Sequence, residues 1–159
     1  MVKTFGRTQP APPLLKLIAL DGEDLAVLSA NLQDAVVRVD EIVFLPLEKR
    51  FALMLARYDW AHALDGAGER CRSGLHFERV LKAKSTGFDR NARGLVLNLL
   101  SISFLPAEAP QGEITLTFSG GAAIALEVEC VEAQVSDMGP RWRAKVQPGH
   151  PLNDAPDNF

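Results

Sequence analysis

The chain has 159 residues and a formal net charge of −3 at pH 7; 47% of its residues are hydrophobic and 23% are charged. This composition is that of an ordinary soluble domain, long enough to bury a core without disulfide bonds or metals. The negative charge argues against a dedicated binder of nucleic acid or anionic membranes, and no apolar run reaches the roughly 18 residues of a membrane helix.

The N-terminal part of the chain predicts an arm, a strand and a helix. Residues 1–13 contain three prolines and no periodicity, so we expect a flexible arm. The apolar run 14–20 predicts a first strand. Asp21 is a suitable N-cap for a helix over residues 22–33, and two carboxylates follow where the helix dipole favours negative charge. Three leucines at helical spacing support this helix: Leu25, Leu28 and Leu32.

After the helix the hydrophobic period becomes that of a strand. Residues 37–45 alternate with an interruption at 40–41, a turn is predicted at 46–49, and residues 50–58 form the next strand. Both faces of strand 50–58 are apolar. This predicts that the strand is covered on both sides.

The next strand has an irregularity. A loop over residues 59–71 precedes strand 72–82, in which Arg79 falls on the apolar face and Val80 on the polar face. This change of face indicates a twist, a bulge or a sheet edge.

A second irregular strand follows a loop at 85–94. Residues 95–104 alternate, but the apolar parity changes in the middle, at residues 99–100. A strand that changes its buried face midway usually carries a bulge and bends around a core.

Residues 113–131 give the clearest pattern in the chain, two alternating strands joined by Gly120 and Gly121. Threonine and glutamate side chains occupy one face of this segment. The opposite, inward face carries Ile114, Leu116, Phe118, Ile124, Leu126, Val128 and Cys130. Since both glycines can adopt a positive φ, we expect a two-residue type I′ hairpin turn.

The C-terminal pattern is weaker. It predicts a turn at 136–140, a short edge strand at 141–143 and a disordered tail over 148–159. The whole chain therefore predicts a single mainly β (α+β) domain over residues 14–147. We expect an antiparallel meander of six to eight strands, curled into a bent sheet or partly open barrel, with one helix on an opening or face.

The sequence offers no convincing catalytic or metal-binding constellation. Cys71 and His76 are about 16 Å apart in an extended strand, and Cys130 fits a core position. The histidine and cysteine spacings match no metal motif, and Gly120-Gly121 does not precede a helix that could hold a phosphate. We therefore expect no catalytic residue, no metal and no cofactor, and we favour a protein that is not an enzyme. Two cysteines fit free thiols in the cytoplasm.

One cluster is a candidate ligand site. If strands 50–58 and 72–82 pair, one end of the sheet would hold arginine, aromatic and histidine side chains that can bind a carboxylate or phosphate, or anchor a protein interface. The candidate residues are Arg57, Tyr58, Trp60, Arg72, His76 and Arg79. In the alternative interpretation, Tyr58 and Trp60 close the barrel mouth and the arginines pair with Glu69 and Glu78.

The charges are also unevenly distributed along the chain. Residues 69–93 carry seven basic and three acidic side chains, whereas residues 106–137 carry six acidic and no basic ones. The two segments can form cross-strand ion pairs within one molecule. Alternatively, they give a dipolar molecule whose basic face meets an acidic partner or a second copy.

Several segments together resemble a known family. The segments are 15–25, 32–37, 50–53, 75–80 and the hairpin with 128–133. They resemble a small uncharacterised alphaproteobacterial family catalogued only as a domain of unknown function, over about residues 14–145. The resemblance implies a cytoplasmic bacterial protein that forms a domain by itself, and it implies no catalytic residue, cofactor or partner.

Two hypotheses of function follow. The first is a non-enzymatic binding or scaffold protein that acts through protein contact, self-associating through a strand edge or the two-sided apolar region 51–58. The second is a protein or enzyme that binds a small anionic ligand near Arg57, Trp60, Arg72 and His76. The second requires these four side chains to converge on one concave cavity. In neither case do we expect binding to nucleic acid or membranes.

Overall fold

The structure is a computed structural model that describes residues 14–62 and 68–144. Its first half contains β1 (Lys16–Ala19), α1 (Gly22–Asn31), β2 (Val36–Arg38), β3 (Ile42–Leu45), β4 (Arg50–Tyr58) and β5 (Glu69–Phe77). Its second half contains β6 (Val80–Thr86), β7 (Val96–Pro106), β8 (Gly112–Phe118), β9 (Ala123–Val128) and β10 (Ala133–Arg143). The arm and tail predicted at 1–13 and 148–159 lie outside the described residues.

The described strands form one ten-stranded antiparallel sheet that is not closed into a barrel. The strand order is β1-β10-β5-β4-β2-β7-β8-β9-β6, and β3 pairs with β4 beside this path. This confirms the prediction of a mainly antiparallel β fold with one helix. A single hydrophobic cluster takes side chains from β4 and β5 as well as from β8 and β9, so the sheet folds over onto itself.

The strand β7 provides the bend. Its pairing with β8 shifts register between Leu99 and Ser101, which confirms the bulge predicted from the change of parity. Before the bulge, β7 pairs with β2, which also pairs with β4 at Val36 and Ala56. The short strand β2 therefore joins the two halves of the sheet.

The helix α1 begins as predicted and ends two residues before the predicted boundary. The Asp21 side chain accepts a hydrogen bond from the Asp24 N–H at 2.8 Å, which confirms the N-cap. Leu25, Leu28 and Leu32 are all buried, so the helical stripe was correctly identified. The Ser29 hydroxyl accepts the Ile102 N–H at 2.8 Å and ties the helix to β7.

The prediction of one strand over 72–82 was wrong. The chain turns at residues 78–79 and continues as β6 in another part of the sheet, and Arg79 adopts φ 61° at this turn. The change of face at Arg79 therefore lies at the turn between two strands. The irregularity and the sheet edge predicted here are present in β6, which ends the strand order and shifts register with β9 between Val80 and Lys82. In addition, β5 begins at Glu69, inside the loop predicted over 59–71.

The predictions for the C-terminal strand were correct only in part. Residues 133–143 form one long strand, β10, instead of a turn followed by a short strand. In the described chain, β10 pairs with β1 over residues 133–136, whereas residues 141–143 pair with β5 alone and therefore lie at an edge, as predicted. The predicted turn at 136–140 is a register shift within β10, between Asp137 and Arg141, where Gly139 has φ 65°. Glycine and proline at 139–140 suggested a turn, but a bulge uses the same residues.

The β8–β9 hairpin has a longer turn than predicted. Gly120 and Gly121 both have positive φ, at 77° and 83°, which confirms that part of the prediction. However, the Phe118 N–H donates to the Ala122 carbonyl at 2.9 Å, so three residues, 119–121, form the loop. The prediction of a two-residue type I′ turn was therefore wrong, because the loop contains one more residue.

Candidate functional site

The pairing of β4 with β5 shows which residues of the predicted cluster lie on the same face of the sheet. The two strands pair as expected, with Ala56 opposite Arg72 and Ala52 opposite His76. Successive side chains alternate between the two faces of a strand. Arg57 therefore lies on the inner face with Leu55, whereas Arg72 and His76 lie on the outer face.

Arg57 forms a buried ion pair with Asp137 of β10. Its Nε and Nη2 atoms donate to the two carboxylate oxygens of Asp137, each at 2.7 Å. Asp137 also accepts the Ser73 hydroxyl at 2.6 Å and the Leu15 N–H at 2.8 Å. Burial by itself raises the pKa of Asp137, but the hydrogen bonds from Arg57, Ser73 and Leu15 outweigh it and hold this pKa at about 2.

Two further charged residues extend this pair into a network. Asp59 lies 3.7 Å from Arg57 and accepts a hydrogen bond from Arg141 at 3.0 Å. Arg141 also lies 3.3 Å from the exposed Glu69. The four inner charges cancel, and both aspartates are almost completely buried. The network joins β4 to β10, and Ser73 and Leu15 add β5 and the start of β1. We interpret it as a structural network that fixes the strands, because each charge has an opposite charge from the chain itself, although two Arg141 nitrogens, Nε and Nη2, have no hydrogen-bond partner among the described residues.

The aromatic members of the cluster form a separate contact at the end of β4. The rings of Tyr58 and Trp60 pack edge to face with centroids 4.7 Å apart. The Tyr58 hydroxyl accepts the Gly68 N–H at 2.9 Å, and Trp60 donates its indole N–H to the Gln33 carbonyl at 2.8 Å. Arg70 covers the Tyr58 ring at 5.6 Å. These contacts cap the end of the strand.

The other cationic members each have a partner on the surface. Arg72 pairs with Glu41, and Arg79 lies 3.5 Å from Glu132. These are not the predicted partners, Glu69 and Glu78.

His76 shares the carboxylate of Glu78 with Arg50, at 2.6 and 2.8 Å. Burial raises the pKa of Glu78, but hydrogen bonds from Arg50 and His76 lower it further than burial raises it. Since Arg57, Trp60, Arg72 and His76 do not converge on one cavity, we abandon the pocket hypothesis at these residues.

The outer face of the sheet instead carries an exposed apolar surface, over which no described element packs. It forms a shallow depression of about 290 Å³ across β3, β4, β5 and β10. We call it the outer patch and define it by Val43, Ala52, Met54, Gly74 and Met138.

The side chains at the two ends of the outer patch are exposed, Val43 by 45% and Met138 by 64%. Both methionines lean over Gly74, since a Cβ at Gly74 would lie 3.3 and 3.6 Å from their sulfur atoms. The sequence identified the second apolar face of β4 but not Met138, which was assigned to a turn. The sequence signal for a strand here was the alternation of apolar Ala133 and Val135 with polar Gln134 and Ser136. Continued through residue 138, it would have placed Met138 on the outer face.

The model of a family described as proteins of unknown function, DUF2948, matches residues 15–150. The chain belongs to this family. The DUF2948 match includes α1 and all ten described strands, and it confirms the resemblance to a family of unknown function. No curated protein and no solved structure matches the chain. Within residues 14–62 and 68–144, no helix has the length and apolar character needed to cross a bilayer.

Proposed function

We propose that this DUF2948 protein is a non-enzymatic binding protein that acts through protein contact, and that the outer patch packs against the same patch of a second copy. The observation that carries the proposal is an exposed apolar face with no described element packed over it. Apolar surfaces of this kind, bordered by polar residues, are typical of interaction sites.

The border of the outer patch favours a second copy as the partner. The Arg72–Glu41 pair lies on one side of the patch, and the Arg50–Glu78 pair with His76 lies on the other. Each group contains both acidic and basic side chains. Two copies related by a two-fold axis can therefore meet without bringing side chains of like charge together. Met54 and Met138 can adapt their shape to a facing surface, as methionines do at other binding surfaces.

The non-enzymatic character and a cytoplasmic location belong to the same proposal. Arg57, Arg72 and His76 each pair with a carboxylate of the chain itself instead of opening onto a shared cavity, which supports binding rather than catalysis. Both cysteines are free in the structure, which fits a reducing compartment.

Sedimentation velocity over a range of concentrations tests this proposal. We expect the wild-type protein to form a weak, concentration-dependent dimer, because interfaces below about 1,200 Å² are typical of transient complexes. The double variant Val43→Lys/Met138→Lys should weaken dimerisation by about tenfold or more, since it places a charge at each end of the apolar interface.

The matched control is Leu47→Lys, because Leu47 is 96% exposed and lies in the turn before β4, outside the outer patch. This variant should dimerise like the wild type, and circular dichroism should show that both variants retain the fold. A wild-type protein that stays monomeric at the highest attainable concentration contradicts the proposal, as does equal weakening by Leu47→Lys.

A further inference from the structure

A second concave surface lies between the edges of β3 and β6. In the described part of the chain, β3 pairs only with β4 and β6 only with β9, so each strand has one unpaired edge. The two edges, with the loop that follows β6, enclose a cleft of about 420 Å³. We call it the β3–β6 cleft. Its volume falls within the range of roughly 300–1,000 Å³ that small-molecule sites occupy.

The floor of the β3–β6 cleft is apolar and continuous with the core. Ile42 and Phe44 line it from β3, and Ala83 lines it from β6. Phe51 and Ile124, both almost fully buried, form its base, and the Phe44 and Phe51 rings pack 6.4 Å apart. Phe88 closes it from the loop. A ligand with an apolar body that enters this cleft buries its own apolar surface and that of the floor, and the removal of both surfaces from water favours binding.

The rim of the β3–β6 cleft is cationic. Lys84 and Arg90 line it, and its lining contains no carboxylate. Asp89 is the single acidic residue of the adjacent loop, and its carboxylate accepts the Asn91 N–H at 2.9 Å instead of lining the cleft. The rim therefore has a net positive charge beside an apolar floor.

The cations at this rim belong to the described arginines and lysines that form no ion pair, a group that also includes Lys16, Lys82, Arg93 and Arg143. Elsewhere, Arg38, Lys49, Arg50, Arg57, Arg72, Arg79 and Arg141 each form an ion pair. Within the described residues, Lys84 and Arg90 form none. Two exposed cations without an internal counter-charge, at the mouth of an apolar cleft, are complementary to a molecule with one anionic head and an apolar body.

We infer that the β3–β6 cleft binds a small amphipathic anion: the apolar body contacts Phe44, Phe51 and Phe88, and the anionic head pairs with Lys84 and Arg90. This site is separate from the outer patch and goes beyond the proposed self-association. A free inorganic anion would contact only the polar rim, which includes Ser85 and Asn91 besides the two cations, and would leave the apolar floor exposed to water. The partner is a soluble molecule rather than a membrane surface, since the site is a concave cleft with its apolar contacts at the bottom.

The test uses the full-length protein and decanoate as the probe, below its micelle concentration, with amide chemical shifts as the readout. Decanoate should shift the amides of Ala83, Ser85, Phe88 and Ile124 and saturate. Decanol has the apolar body without the charge and should bind at least about tenfold more weakly. Inorganic phosphate and decyltrimethylammonium should leave these amides unchanged.

Substitutions in the rim distinguish the site from general surface binding. The double variant Lys84→Gln/Arg90→Gln should reduce decanoate affinity by about tenfold, since both lost charges face the head group. The matched control is Lys16→Gln on β1, another cation that forms no ion pair among the described residues, and it should bind decanoate like the wild type. Unchanged spectra away from the cleft should show that both proteins are folded.

Several results would overturn the inference. They are the absence of saturable decanoate binding, equal affinity for decanol, shifts confined to residues outside the cleft, and equal weakening by Lys16→Gln. Saturable phosphate binding at the rim would identify an inorganic-anion site instead. Cosedimentation with phosphatidylglycerol vesicles, without binding of free decanoate, would identify a membrane-binding surface instead.

Discussion

At the scale of single residues, Gly121 shows a conformational requirement without a packing requirement. Its φ of 83° lies in the region that side chains with a Cβ rarely adopt, yet a Cβ built at this position would meet no atom within 4 Å. Any effect of a substitution therefore arises in the backbone and not from a clash.

Replacement of Gly121 by valine should lower the free energy of unfolding by about 1–2 kcal/mol, because a β-branched residue is strained at positive φ. Urea denaturation measures this change. Gly94→Val is the matched control, since a Cβ at Gly94 also meets open space and Gly94 does not have a positive φ. If Gly121→Val and Gly94→Val have equal stability, the positive φ of Gly121 is not a constraint on the fold.

Arg57 shows what could be predicted about individual residues and what could not. The period of two correctly places it on the face of β4 that carries Phe51, Leu53 and Leu55, and this face is buried. An arginine on such a face requires an anionic partner. However, the partner is Asp137, 80 residues away, and no local pattern identifies it. The residues predicted to form one cluster therefore lie on two opposite faces of the sheet, Arg57 on the inner face and Arg72 and His76 on the outer face.

At the scale of elements, the contact between α1 and β7 depends on one polar group. The β7 bulge interrupts the ladder next to Ile102, and the Ser29 hydroxyl satisfies the backbone N–H of this residue. Ile102 itself is buried. A helix side chain thus replaces a strand as the hydrogen-bond partner at the point where β7 bends.

The variant Ser29→Ala should destabilise the protein by about 1–3 kcal/mol, because it leaves a buried N–H without a partner. Thermal and urea unfolding measure the loss. Ser101→Ala, on the exposed side of the same bulge, is the matched control and should change stability by less than about 0.5 kcal/mol. If Ser29→Ala has no larger effect than its control, the hydroxyl does not support the bulge.

The boundaries of elements were predictable where a period was uninterrupted. The helix start and strand β4 agree with the sequence patterns because capping and alternation are local. By contrast, the prediction divided β10 into a turn and a short strand, because Gly139 and Pro140 are typical of turns. The pairing of β10 with β5 on both sides of the bulge keeps this segment extended, and such long-range pairing leaves no local signal.

At the scale of the whole molecule, the Arg57–Asp137 pair connects distant parts of the chain. It joins β4 to β10, and the hydrogen bonds of Asp137 to Ser73 and Leu15 reach β5 and the segment before β1. The side chain of Asp137 is completely buried. Loss of its charge would leave the buried Arg57 guanidinium with only the more distant carboxylate of Asp59, at 3.7 Å, as a counter-charge among the described residues. This loss is more costly than loss of an exposed ion pair.

Replacement of Asp137 by asparagine should therefore reduce the free energy of unfolding at pH 7 by about 2–3 kcal/mol, because it weakens buried hydrogen bonds between charged groups. The matched control is Glu129→Gln. Glu129 pairs with Lys49, also 80 residues away in sequence, but this pair is exposed and its loss should cost less than about 1 kcal/mol. Chemical denaturation of both variants measures the difference.

The effect of Asp137 should also depend on pH in a defined direction. The pKa of Asp137 is lowered from 3.8 to about 2 in the folded protein, so its charge stabilises the fold above the unfolded-state pKa. This contribution is lost as the pH falls from about 4 through 2, where the carboxylate of the folded protein becomes protonated. The stability difference between wild type and Asp137→Asn should therefore be constant near neutral pH and shrink between pH 4 and 2. A difference that stays constant down to pH 2 would show that the charge of Asp137 does not hold these strands together.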